Sequence, residues 1–276
     1  MLVGRASAAT PARTLLYLVH VPKAGGTTVA WTFNSAAPSS HEHYFRPVAW
    51  PCFNASGQHF QHVNFFQPHV HRSYDGFLAL DRCEGSIYTA RGCHPAHPPG
   101  LPTPHVVLVG LFRHPVDRFA SAVAHSLGFQ SPGLPCLFVK CTSDPEMAAR
   151  FRASNITLEE VATRYHTPTF ATAHNYQLHF FGSGNLTLAK ARLQALDVVA
   201  IPKPGLFEGA LEQLALLLGT KGLGQFCDVR HVHRLHLSAA NLSKWSQKAV
   251  ADADHLDLDL YMLALRRAKH DQVRLT

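Results

Sequence analysis

Two stretches of the chain are too continuously apolar to be half-exposed. The first is Leu15-Leu16-Tyr17-Leu18-Val19-His20-Val21 and the second is His105-Val106-Val107-Leu108-Val109-Gly110-Leu111-Phe112. Unbroken runs of this length, rich in Val and Leu, predict strands buried on both faces, as in a parallel sheet. Helical patterns succeed them at intervals. Pro115 is placed to open a helix, Asp117 suits its first turn, and Phe119, Val123 and Leu127 repeat every four residues as an apolar stripe. Thr157-Leu158-Glu159-Glu160 is a capping box for a helix running to about Tyr165. Phe170 to Phe181 reads as one helix stopped by Gly182, and Thr187 to Leu196 as another feeding a short strand, Asp197 to Ile201. Leu206 to Leu218 and a last helix from Asp254 to about Lys269 complete the periodic segments. Strands alternating with helices predict an α/β fold, a mostly parallel sheet flanked by helices, with its ligand site at the strands' carboxyl ends.

The stretches between these elements differ in character. Residues 1–13 read as a flexible lead-in, and 14–276 as a single domain. From Ser35 to Pro104 the chain is rich in His, Pro, Gly and aromatic residues with little periodicity. It predicts long loop insertions of the kind that carry binding residues. Ser131 to Asp144 is a cysteine-containing loop.

Each apolar run ends in a chemically pointed segment. The first leads into Pro22-Lys23-Ala24-Gly25-Gly26-Thr27-Thr28 and then a helix-compatible segment, Val29 to Phe33. Bare backbone N–H groups, a helix start and one cation suit a phosphate-like anion. The order departs from the nucleoside-triphosphate loop, in which Gly-Lys-Ser/Thr closes the turn, and disfavours it; here Lys23 precedes the glycines. The second run leads into Arg113-His114-Pro115, with Ser121 two turns into the next helix. A guanidinium fork and a hydroxyl at that spacing suit a second phosphate.

Together these motifs resemble the sulfotransferases that use 3′-phosphoadenosine 5′-phosphosulfate (PAPS), most of all the Golgi carbohydrate enzymes of the heparan sulfate 2-O- and 6-O-type. The resemblance spans most of residues 14–270 and implies a P-loop-like sheet. It implies that Lys23, Ala24, Gly25, Gly26, Thr27 and Thr28 hold the 5′-phosphosulfate end, and that Arg113 and Ser121 hold the 3′-phosphate. His114 stands where the family usually has Asp. Ala173 to Leu178 is similar to the family's asparagine-containing helix, and Asp257 with Tyr261 to its closing Asp-x-x-x-Tyr pattern. Asn64-Phe65-Phe66-Gln67-Pro68-His69-Val70 resembles the segment that delivers the catalytic histidine. That match makes His69 the general base, with His71 and His62 in reserve, and Lys23 the second catalytic group, at the leaving oxygen. The implied activity is transfer of a sulfuryl group to a glycan hydroxyl, with PAPS as co-substrate and no metal. A catalytically silent sulfated-polysaccharide-binding domain and a P-loop nucleotide kinase are the alternatives.

Composition narrows the partners. The 276 residues are 46% hydrophobic and 16% charged, which excludes a disordered chain. The formal charge of +7, raised further by any protonated members of the 20 histidines, suits polyanions. No basic run or nucleic-acid motif is present, so a glycan acceptor is favoured over nucleic acid. His231-x-His233-x-x-His236 and Cys93-His94-x-x-His97 match no recognised zinc spacing.

Four Asn-x-Ser/Thr sequences, at Asn54, Asn155, Asn185 and Asn241, exceed the single one expected by chance, roughly, and point to a glycoprotein. Six cysteines permit disulfides in an oxidising lumen. Cys83/Cys93, Cys136/Cys141 and Cys52/Cys227 are one of the possible pairings. These features, with the resemblance, predict a Golgi luminal domain of a type II membrane protein; no 18-residue apolar segment occurs in this sequence, which leaves a trimmed luminal domain, an incomplete gene model or retention by a partner as the alternatives.

Overall fold

A computed structural model describes residues 14–19, 21, 23–25, 62–63, 86–89, 92–95, 105–128, 145–153, 155–217 and 238–273. Both apolar runs are strands: β1, Thr14–Val19, and β5, His105–Leu111. They pair in parallel with Val19 beside Gly110, so their carboxyl ends lie level. On the far side of β5 lies β6, Val198–Ala200, also parallel, with Leu111 opposite Ala200. The other edge is β2, His62–Val63, beside Leu15 and Leu16 of β1. The order β2-β1-β5-β6 makes this an α/β sheet of parallel strands. A separate antiparallel hairpin joins β3, Ser86–Thr89, to β4, Gly92–Pro95. The segment 35–104 is therefore not loop throughout: β2 and this hairpin lie within it. They are too short to leave a periodic signature. Cys93 lies in β4; the other five cysteines fall outside the described residues.

Eight helices are described. Helix α1 (Pro115–Gly128) buries Phe119 and Val123 as the stripe requires, and α3 (Leu158–Tyr165) begins at the expected capping box, with Thr157 and Glu160 each satisfying the other's backbone N–H. Helix α2 (Pro145–Arg152) and helix α7 (Lys244–Ala253) have no counterpart in the apolar pattern. Helices α5 (Leu186–Gln194) and α6 (Leu206–Leu217) fall close to their expected bounds. Helix α8 runs from His255 to Val273, and Asp254 is the C-cap of α7 rather than the first residue of α8.

The expected single helix from Phe170 to Phe181 is two. A 3₁₀ turn, Pro168–Ala173, is separated from helix α4, Tyr176–Gly182, by His174 in an extended conformation and Asn175 in the left-handed region, φ 49° and ψ 43°. Tertiary hydrogen bonds break the helix. The Asn175 N–H donates to Asp254 Oδ1 at 2.8 Å, and Asn175 Oδ1 accepts from the N–H groups of Leu256 and Asp257 at 3.0 and 3.1 Å. Asp257 does the same for α4, its carboxylate accepting from the N–H groups of Gln177 and Leu178 at 2.9 and 2.7 Å. Two helix starts thus cap one another, which offsets the loss of continuous helix.

The sheet and helices α4, α5, α6 and α8 share one apolar core. A second gathers α1, α3, α7 and the 3₁₀ turn around Phe119, Tyr165 and Phe170. Every residue from Val107 to Leu111 of β5 is buried, as its composition implies. Gly182 is needed because α4 meets α5 there: a Cβ would lie 2.7 Å from Ala189 Cβ and 2.8 Å from its backbone nitrogen. Gly182→Ala is expected to cost about 1–3 kcal/mol, since a backbone neighbour cannot yield. A lower denaturant midpoint with an unchanged m-value checks this. Among the described residues no helix is long and apolar enough to cross a membrane.

Candidate functional site

The chain leaves β1 toward β2 on one side and leaves β5 toward β6 on the other. The crevice outside the carboxyl ends of β1 and β5 is therefore a topological switch point, where open parallel sheets take their ligands. Three strand exits meet here. After β1, Val21 to Ala24 forms a tight turn closed by the Ala24 N–H on Val21 O at 3.2 Å, with Lys23 at φ 66° and Gly25 at φ 111°. A non-glycine residue at positive φ is uncommon and costs on the order of 1 kcal/mol. The turn keeps Lys23 there, between a buried Val21 and a buried Ala24.

Arg113, at the exit of β5, ties the two strand ends together: its Nη1 donates to the Lys23 carbonyl at 3.0 Å. The Arg113 backbone is fixed from α4. The Gln177 side chain accepts from Arg113 N–H and donates to Arg113 C=O, both at 2.9 Å, as a neighbouring strand would. Gln177 is fully buried, and its own N–H is held by Asp257. One connected set of bonds thus runs from α8 through α4 to the strand end. His114, Lys203 and Tyr261 complete the surroundings. The His114 ring meets Tyr261 edge-on at 5.3 Å, and Lys203 Nζ lies 5.7 Å from the centre of the same ring. Ile201-Pro202-Lys203 at the exit of β6 repeats the pattern of Val21-Pro22-Lys23 at the exit of β1. Pro202 and Phe207 also back the turn after β1, 3.4 and 3.9 Å from where a Cβ on Gly25 would lie.

Electrostatics reflect this crowding. Burial, then the Arg113 charge, lowers the Lys23 ammonium to about 7. Burial lowers Arg113 as well, opposed by Asp117 and assisted by Arg118. His114 is pulled down by burial and by Lys203, with Asp117 opposing. Cations held close together and partly out of water favour an anionic ligand, which relieves both their repulsion and their desolvation. The Tyr261 hydroxyl is buried and has no hydrogen-bond partner among the described residues.

Of the residues expected to bind the donor, Lys23, Ala24 and Gly25 lie on the loop and Arg113 beside it. Ser121 is half-buried in the second turn of α1. Gly26, Thr27, Thr28, His69 and His71 lie outside the described residues. His62 pairs with Leu15 in the amino-terminal half of β1, four residues and about 13 Å of strand back from the carboxyl edge. Sequence reasoning missed Gln177 and Lys203. A lone buried-type amide between Tyr176 and Leu178, and the repeated aliphatic-Pro-Lys at two strand exits, are the signals that mark them. No family model, curated protein or solved structure matches the chain.

Proposed function

We propose that the chain is a PAPS-dependent sulfotransferase acting on a hydroxyl group of a glycan, with a P-loop-like phosphate site, in a luminal, glycosylated setting. The observation that carries this reading is the bond from Arg113 to the Lys23 carbonyl across the switch point, which puts two cations on one crevice. Two separated phosphate groups on one small molecule suit that pair. PAPS supplies an activated sulfuryl group. Lys23 stabilises negative charge on the leaving phosphate oxygen, and the amides of Gly25, Gly26, Thr27 and Thr28 surround the 5′-phosphate, with Ala24 in the turn that presents them. Arg113 and Ser121 grip the 3′-phosphate. His69 takes the proton of the acceptor hydroxyl as its oxygen bonds to sulfur and the sulfur–phosphate oxygen bond breaks. Positioning and charge stabilisation supply most of the acceleration, as in phosphoryl transfer.

Calorimetric titration with PAPS, and with ATP plus magnesium, tests the site; labelled transfer from PAPS over a glycan panel tests the reaction. PAPS binding abolished in Lys23→Ala, together with labelled glycan from the intact protein, is the expected result. A preference for ATP with magnesium turns the reading to a phosphotransferase, and PAPS binding without transfer to any glycan removes the proposed activity. The pH dependence is a further check. Lys23 must be charged to meet the anion, so binding takes up a proton above about pH 7 and affinity falls as pH rises through that value, by at most about tenfold per unit. Affinity constant from pH 6 to 9 would show that Lys23 does not meet the donor.

A further inference from the structure

Three of the four Asn-x-Ser/Thr sequences fall on described residues, and the fold treats them alike. Asn155, Asn185 and Asn241 are all exposed, and each stands at a helix start. Asn155 lies two residues before Thr157, the N-cap of α3. Asn185 is itself the N-cap of α5. Asn241 closes a 3₁₀ turn two residues before Ser243, the N-cap of α7.

At Asn185 and Asn241 the side-chain carbonyl is consumed and the nitrogen is left over. Asn185 Oδ1 accepts from Leu188 N–H at 3.0 Å. Asn241 Oδ1 accepts from the N–H and the hydroxyl of Ser238, at 2.7 and 3.1 Å. Neither Nδ2 atom donates to a described residue. Asn175, which is half-buried and not in such a sequence, shows the opposite use: Oδ1 caps α8 while Nδ2 reaches Ala253 O at 3.4 Å. The exposed asparagines thus offer outward the one atom that sugar attachment uses.

We propose that Asn155, Asn185 and Asn241 are N-glycan attachment sites whose sugars the folded protein carries without losing a helix cap. In the transfer, Nδ2 loses one hydrogen and bonds to the anomeric carbon of an oligosaccharide carried on a polyprenyl diphosphate. The sugar–diphosphate bond breaks, and the lipid diphosphate leaves with the electron pair and, in balance, the proton. The product is still an amide, so Oδ1 remains an acceptor and the caps persist.

Asn155 and Asn241 share one patch. Glu159, in the first turn of α3, accepts from the Ser243 hydroxyl at 2.6 Å and from its N–H at 3.2 Å, and also from the Ser246 hydroxyl. Two helix starts, each just after a glycan asparagine, therefore meet at one carboxylate. Trp245, 60% exposed in the first turn of α7, is the large apolar side chain on that edge.

The test uses the full chain with a cleavable secretory leader in a eukaryotic host. Amidase release of the glycans in heavy-oxygen water converts each occupied asparagine to isotopically marked aspartate, read by peptide mass. Marked aspartate at 155, 185 and 241 is expected; an unmarked asparagine in the folded, secreted protein overturns the assignment at that position. Asn185→Asp keeps the capping oxygen and removes the nitrogen, so it should lose one glycan with its melting temperature unchanged. Asn185→Ala should lose the glycan and melt about 2–4 °C lower, measured on samples trimmed with an endoglycosidase that leaves the asparagine amide intact, so that sugar and cap are separated. Equal melting of the two variants would overturn the claim that Oδ1 caps and Nδ2 is spare.

Discussion

Arg113→Ala is expected to weaken PAPS binding by about 10- to 150-fold and to bring sulfuryl transfer close to background, from the loss of charged hydrogen bonds of about 1.5–3 kcal/mol. The side chain has two tasks in this geometry. It presents cationic donors to the crevice, and it holds the loop through the Lys23 carbonyl. Arg113→Lys supplies the charge but not the planar fork, so it should recover little. The fold should survive, because Gln177 grips the Arg113 backbone and not its side chain. A second readout separates this account from simple loss of charge. Arg113 is one of the two causes that lower the Lys23 ammonium, so its removal should move the pH midpoint of residual binding upward from about 7. Unchanged affinity in Arg113→Ala would remove the arginine from the donor site.

How far the chain could be read in advance depended on where each signal came from. The run at β5 was legible because both faces are buried and almost every residue had to be apolar. The start of α3 was legible because its capping box lies within four consecutive residues. Position 170–181 misled for the opposite reason. Phe170, Leu178 and Phe181 are buried and spaced like one helix, yet the break between them is set by Asp254 and by the start of α8, some eighty residues on. Helix α7 escaped notice because its buried residues are Ser246 and Val250, one of them polar. The site divides along the same line. Lys23 and Arg113 are marked by the strands they terminate, whereas Gln177 and Lys203 matter only once α4 and β6 lie beside β5.

The largest expected loss of stability comes from Arg118, beneath the site. It is 2% exposed, its Nη2 lies 3.6 Å from Asp254 Oδ2 and 3.5 Å from Ala173 O, and its guanidinium faces the Tyr176 ring at 5.2 Å. Asp254 and Asp257 are both fully buried, and the Tyr165 hydroxyl lies 3.1–3.2 Å from both oxygens of Asp254. Burial, then Asp254, pushes Asp257 up to about 7, with Arg118 and the Gln177 and Leu178 N–H groups opposing. Asp254 is likewise raised by burial, with Arg118, Asn175, His174 and Tyr165 opposing. Arg118→Met strips two buried carboxylates of their counter-charge and should cost about 3–5 kcal/mol, or roughly 6–20 °C in melting temperature. The sign of its pH dependence is fixed. A carboxyl raised in the fold favours the protonated form, so its contribution is whole below the ordinary aspartate range and is lost as pH climbs through about 7. The defect of Arg118→Met should therefore be larger at pH 8 than at pH 5. Asp257→Asn in the Arg118→Met background should recover part of it at pH 8, because the amide keeps an acceptor for the α4 start without the charge. Thermal melts of the three proteins at both pH values decide the matter: a loss below 2 °C, or one equal at pH 5 and pH 8, would show that Arg118 is not what holds these carboxylates in the core.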